Sequence, residues 1–176
     1  MKNILEVQNL QVQFKTRAGI VKAVDDVSFN VGEGEIVAIV GESGCGKSVT
    51  SLAVMGLIGA PGKIAGGVIK FDDQDLLKKS EAEMRKVRGR KIAMIFQDPM
   101  TSLNPVITIG EQIMEQIRYH LGYEGKKAKD RAAELLGLVG ISNPEDRLKQ
   151  YPHEFSGGMR QRVMIAMALA CDPKLL

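Results

Sequence analysis

Gly41-Glu42-Ser43-Gly44-Cys45-Gly46-Lys47-Ser48 is a complete G-x-x-x-x-G-K-[ST] pattern, and its reading decides the fold. Directly before it stands Ile36-Val37-Ala38-Ile39-Val40, an unbroken apolar run of the kind a parallel strand shows when its sheet is covered on both faces. After it, Val49 to Leu57 reads as a buried helix. Strand, glycine loop and helix start therefore follow in the order that anion binding needs. Glycines let backbone N–H groups turn inward, and the helix N-terminus adds the positive end of its dipole. In that arrangement Gly41, Glu42, Ser43, Gly44, Cys45, Gly46 and Val49 surround the phosphates. Lys47 reaches the β- and γ-phosphate oxygens, and the Ser48 hydroxyl holds Mg²⁺. The pattern predicts a nucleotide-binding chain.

Composition bounds the remainder. The 176 residues suffice for one core or a core with an appendage, and 44% hydrophobic residues is ordinary for a folded domain. The longest nearly apolar stretches, Leu52 to Ala60 and Val163 to Cys171, are too short to span a bilayer. No secretory pattern opens the chain, so the expected location is the cytoplasm. A net charge of +3, with basic and acidic residues interspersed, gives no footprint for nucleic acid. The densest basic cluster, Arg85 to Lys91, reads as a solvated face or loop. Cys45 and Cys171 read as a small loop residue and a buried helix-end residue, not as a disulfide.

From the N-terminus, Leu5 and Val7 alternate with polar neighbours, the phase slips, and Leu10, Val12 and Phe14 alternate again, which predicts a strand interrupted by a turn or bulge. A turn at Thr16 to Gly19 and a third alternating run, Val27, Phe29 and Val31, complete an antiparallel region with one wet face. Phe14 suits either the core or the face of an adenine ring. Beyond the first helix, Pro61-Gly62 and Gly66-Gly67 punctuate a loop before a short strand at Val68 to Phe71, and Leu76 to Gly89 reads as a charged helix. A second apolar strand, Lys91 to Asp98, stops at Pro99. Its end has two readings. Asp98 would bind Mg²⁺ in a complete small NTPase or kinase; alternatively, the amide oxygen of Gln97 would touch Mg²⁺ and the attacking water.

Pro105 to Leu121 and Lys126 to Val139 carry apolar residues at helical spacing, and these stripes predict a small all-helical region. Ser156 is a good N-cap for a helix running through Val163 to Ala170, and Gly157-Gly158 leave its first N–H groups uncovered. Each glycine costs roughly 1 kcal/mol of helix stability relative to alanine. A bare helix start with a serine hydroxyl is a second anion site.

The order phosphate loop, strand ending in Gln97, helical insertion and Ser156-Gly157-Gly158 helix resembles the ATP-binding subunits of ABC transporters. The stretches Gly41 to Ser51, Phe96 to Pro105 and Tyr151 to Arg162 resemble the oligopeptide, dipeptide and nickel import branch in particular, and the likeness runs from end to end. It implies an α/β fold: a P-loop NTPase core (RecA-like) with an N-terminal antiparallel β subdomain, together spanning residues 1–99, a helical subdomain at 100–155, and a signature helix at 156–176 returning to the core.

The resemblance also implies an ATPase with ATP and Mg²⁺ as cofactors. Lys47 and Gln97 would be its catalytic residues, Ser48 and Gln97 its metal ligands, and Phe14 its adenine contact. Ser156, Gly157, Gly158 and Met159 would contact the ATP bound on a second, head-to-tail subunit. Further implied partners are transmembrane permease subunits, received by the helical region from Met100 to Gln150, and indirectly an extracytoplasmic solute-binding protein, which places the chain peripherally on the cytoplasmic face of the cell membrane. The signature begins with Phe155 and ends with Met159 where the commonest family form has Leu and Gln.

After Leu176 the family pattern continues into the Walker B Asp and Glu and a switch histidine. Neither His120 nor His153 can replace that histidine, because both precede the signature. The expectation is an N-terminal portion of a longer subunit with the C-terminal part of the core missing. The alternatives are a nucleotide-binding fragment without turnover, a small kinase using Asp98, and an ABC protein without a membrane partner.

Overall fold

The computed structural model describes residues 2–98 and 102–176. Pro99, Met100 and Thr101, in the middle of the Phe96 to Pro105 match, lie outside the described residues. The chain forms two compact units, Met1–Met84 and Arg85–Leu176.

The first unit is built on an antiparallel sheet of order β2-β1-β3-β4. β1 (Asn3–Thr16) lies between β2 (Gly19–Gly32) and β3 (Gly62–Phe71), and β4 is the short Gln74–Asp75. The phase slip in β1 is a bulge. The register with β2 shifts between Val7 and Leu10, and Asn9 adopts a left-handed φ of 48°. Its backbone N–H donates to Ser28 Oγ (2.8 Å) and its side-chain amide to Asp26 Oδ1 (2.7 Å). The extra residue keeps Val7, Leu10 and Val12 all buried.

Gly66 and Gly67 do not break β3, which runs unbroken from Gly62, so the expected loop and short strand are corrected to one bulged strand. Gly67, at φ 97°, sits where any Cβ would come within 2.7 Å of the Gln8 and Asn9 carbonyl oxygens. α1 (Lys47–Val54) packs on β1 and β2 and ends earlier than expected. Gly56 (φ 63°) takes the left-handed position, with Gly56 N–H donating to Ala53 O and Leu57 N–H to Leu52 O, a Schellman stop. The single helix expected over Leu76 to Gly89 is a 3₁₀ turn at Leu76–Lys78 followed by α2 (Glu81–Val87), separated where Lys79 is extended.

Two strand expectations are corrected. Ile36 to Val40 forms no strand, and Ile36 and Val40 are 98% and 87% exposed. The ladders of the sheet are made by β1 to β4, and none of them includes this run. Lys91 to Asp98 pairs only at its start. Ile92 bridges in parallel to Arg88 and Leu175, Ala93 N–H donates to Leu175 O (2.9 Å), and Ile95 and Phe96 are exposed. An apolar run supplies strand propensity, whereas a strand also needs a neighbour to take its N–H and C=O groups.

The second unit is helical. α3 (Ile109–Leu121), α4 (Gly125–Leu138), the short α5 (Pro144–Arg147) and α6 (Gly157–Leu169) follow in order. α3 starts later than Pro105 because Thr108 is its N-cap, accepting from Glu111 N–H. Ile109, Ile113 and Ile117 of α3, Ala132, Leu135 and Leu136 of α4, and Val163 and Ala166 of α6 join Phe155 and Leu148 in one core. Burying each of the valine, leucine and isoleucine side chains among them contributes about 1.5–3 kcal/mol. Gly110 lets α3 lie directly on the segment after α5: a Cβ there would stand 2.6 Å from Leu148 O.

Candidate functional site

In the first unit glycines set the path of the loop from Gly41 to Ser48. Gly44 (φ 82°) and Gly46 (φ 94°) both take conformations that L side chains disfavour. A Cβ on Gly46 would stand 2.3 Å from Ala23 O. Ala23 is skipped in the β1–β2 register between Val24 and Lys22, and the loop rests against the carbonyl of that bulged residue.

α1 then begins with Gly46 as N-cap and no side-chain cap, so no side chain of the loop covers its first amides. The Lys47 ammonium donates to the carbonyls of Gly41 (2.8 Å) and Glu42 (2.6 Å), which holds it over the loop mouth. Cys45 is exposed and its Sγ lies 3.5 Å from Lys47 Nζ; both cysteines are free thiols. Ser48 is exposed in the first turn. Thr50 is buried and returns its hydroxyl to Gly46 O (3.0 Å), closing the helix start from beneath.

Phe14 belongs to the same end of the sheet. It pairs with Val21 of β2, two residues from Ala23, and with Gly62 of β3. A Cβ on Gly62 would meet the Phe14 ring at 2.6 Å, so glycine leaves the ring the room to lie over β3. The ring is half-buried, with one part packed and another open to solvent.

In the second unit Gln97 and Asp98 are both exposed beyond the paired start of their segment, and Ser102 Oγ donates to the Asp98 carbonyl (2.7 Å). Ser156 caps α6 by accepting from Met159 N–H (3.3 Å). Gly157 and Gly158 are exposed, and a Cβ on either would meet nothing within 4 Å. Packing therefore does not require glycine there. The two following arginines anchor this helix. Arg160 Nε donates to Pro152 O (2.8 Å), and Arg162 Nη1 donates to Gly140 O (2.9 Å) and Val139 O (3.3 Å), at the carboxyl end of α4.

Sequence reading missed two side chains. Arg90, read as part of a solvated cluster, donates to Cys171 O (2.7 Å) and ties the start of the Gln97 segment to the end of α6. Gln112 is buried in the apolar face of α3. The signal was present, since Gln112 falls in phase with Ile109 and Ile113. Burial and then the Arg90 charge hold the His120 pKa below its ordinary value, and burial pushes the Cys171 thiol up.

A cleft of about 460 Å³ in the second unit is lined by residues including Arg90, Tyr123, Lys127, Arg131 and Asp172, and contains none of the residues expected at the site. Several of its charged groups are engaged within the fold. Arg131 pairs with Glu134 and Asp172, and Lys127 lies 3.6 Å over the Tyr123 ring. Burial opposes the charge on Arg131, but those two carboxylates outweigh it and raise its pKa.

Residues 24–176 match the family model described as ABC transporter. The chain is 55% identical over 177 residues to the oligopeptide transport ATP-binding protein AppD of Bacillus subtilis, covering 100% of this chain and 54% of that protein. It is 54% identical over 173 residues to the dipeptide transport ATP-binding protein DppD of Escherichia coli, covering 98% and 53%. The chain thus spans about half the length of these curated relatives. Among solved structures, an ATP-binding cassette captured as a dimer in a post-hydrolysis state bound to ADP and Pi superposes with a TM-score of 0.85 at 29% identity, covering 96% of this chain and 70% of that one.

Proposed function

The chain belongs to the ABC transporter family, and from that membership we propose that it is the ATP-binding portion of a subunit that hydrolyses ATP to energise import of peptides or a related small solute. The observation that carries this reading is the presence of two helix starts opened by glycine, one uncapped beside Lys47 and one capped only by Ser156, in a chain whose relatives are oligopeptide and dipeptide transport ATP-binding proteins.

Phosphoryl transfer to water rests on positioning and charge stabilisation. The loop from Gly41 to Val49 supplies backbone N–H groups, and the Lys47 ammonium, poised on the loop's own carbonyls, turns to the β- and γ-phosphates. Gln97 orients the attacking water through its amide. Phe14 offers its open ring to adenine. Ser156 to Met159 face the γ-phosphate held by a second ATP-binding subunit arranged head to tail.

The Ser48 hydroxyl and the Gln97 amide oxygen are each a hard oxygen donor of the kind Mg²⁺ takes. Such a cation is held by one or two protein oxygens plus substrate phosphates, where it neutralises charge on them. No described helix is long and apolar enough to cross a membrane. Access to the bilayer would come through permease subunits received by the helical unit, placing the protein peripherally on the cytoplasmic face, with a solute-binding protein acting on the far side.

Nucleotide-induced stabilisation tests the reading. ATP at a hundredfold excess over Kd should stabilise the wild type by about 2.7 kcal/mol, and Lys47→Ala should lose that increment. Equal stabilisation of both proteins would overturn the assignment of the loop. ATP turnover abolished by Asp98→Asn and untouched by Gln97→Ala would overturn the role given to Gln97.

A further inference from the structure

Gln112 spends its whole amide on the backbone of one turn. Its Oε1 accepts from Asn104 N–H (2.8 Å), and its Nε2 donates to Asn104 O (3.0 Å) and Ile107 O (2.8 Å). Asn104 in turn accepts Val106 N–H on its own Oδ1 (3.1 Å), and Leu103 is buried in the helical core. A leucine at 112 would fill similar volume without needing these bonds, so packing alone does not call for glutamine. The bonds make the turn from Leu103 to Ile107 continuous with α3, which is itself seated on the segment after α5 through Ile109 N–H to Gln150 O and Gly110 N–H to Leu148 O. The turn carries Val106 at 78% exposure, an apolar side chain held outward on a fixed backbone nine residues after Gln97.

We propose that Gln112 is a positioning residue that fuses the Leu103–Ile107 turn to α3, so that a load applied at the turn moves the helix with it instead of bending the turn. The proposal rests on the reading that the helical unit receives a membrane partner. It assigns the transmission of that contact to one side chain distant in sequence from the phosphate loop and the Ser156 helix.

The test uses the full-length subunit in its transport complex, reconstituted in vesicles, with Gln112→Leu and Gln112→Glu. Glutamate keeps the acceptor for Asn104 N–H and loses both donors. In Gln112→Leu the Asn104 amide should exchange with solvent about tenfold faster than in the wild type, with Gln112→Glu in between. Peptide moved per ATP hydrolysed should fall, while the KM for ATP stays unchanged. A merely structural role would lower turnover and uptake together and leave their ratio intact, and that result would overturn the proposal. So would an unchanged ratio in a variant whose Asn104 amide has been freed. Failure of the transport reading itself is seen separately, in a wild-type complex that hydrolyses ATP without moving peptide.

Discussion

Gly46→Ala places a methyl group where the structure has a backbone oxygen. The new Cβ would stand 2.3 Å from Ala23 O and 3.3 Å from Val24 Cγ2, on a residue at φ 94°. Two penalties combine. A left-handed conformation costs a non-glycine residue about 1–2 kcal/mol. The carbonyl of Ala23 belongs to a strand paired to β1 and cannot swing away as a flexible side chain would, so overpacking adds about 1–3 kcal/mol. Gly44→Ala is the internal control, because φ is 82° there but a Cβ meets nothing within 4 Å, leaving the backbone penalty alone.

Denaturant unfolding of both variants should therefore show Gly46→Ala less stable than wild type by about 3 kcal/mol, and Gly44→Ala by about 1–2 kcal/mol. The difference isolates the contact between the loop and the bulge of β2. Equal losses in the two variants would refute the claim that the bulged carbonyl of Ala23 seats the glycine loop.

The start of α6 should respond to substitution with opposite signs at neighbouring positions. Ser156→Ala removes the cap on Met159 N–H and should cost about 1 kcal/mol, whereas Gly158→Ala enters open space and should gain up to about 1 kcal/mol. Thermal melts check both, and a destabilised Gly158→Ala would contradict the reading that packing does not require its glycine. His120 gives a pH dependence. Its pKa is lowered in the folded chain by burial and by Arg90, so the unfolded chain binds the proton more readily. Its contribution is intact above the ordinary histidine value of about 6.5 and is lost as pH falls through the folded-state pKa below it. Denaturant midpoints compared at pH 7 and pH 5 should drop less in His120→Gln than in the wild type.

Local chemistry was legible in the sequence where one short pattern determines it. The glycine loop, the phase slip at Asn9 and the Ser156 cap each depend on residues within a few positions, and each appears where the spacing puts it. The fate of Ile36 to Val40 and of Lys91 to Phe96 was not legible, because their apolar side chains describe what a strand would bury and say nothing about which backbone will pair with it. Gly66-Gly67 misled for a related reason, since glycine marks a break and a bulge with the same letter, and only the Gln8 and Asn9 carbonyls opposite decide between them. Gln112 was hidden by its neighbours. An apolar stripe absorbs one polar member without losing its period, and the partner that explains it is a backbone turn eight residues upstream.

The uncovered Ile36-Val37-Ala38-Ile39-Val40 run also bears on how such a chain survives its own synthesis. Five β-branched or small apolar residues without charge or proline form a segment of the kind that seeds cross-β assembly when left open. Glu33, Glu35 and Glu42 flank it on both sides, and Glu35 is tied back to Gly32 N–H at 2.6 Å. Like charges on both flanks match the gatekeeper pattern, in which carboxylates beside an open apolar segment repel the same segment of another copy.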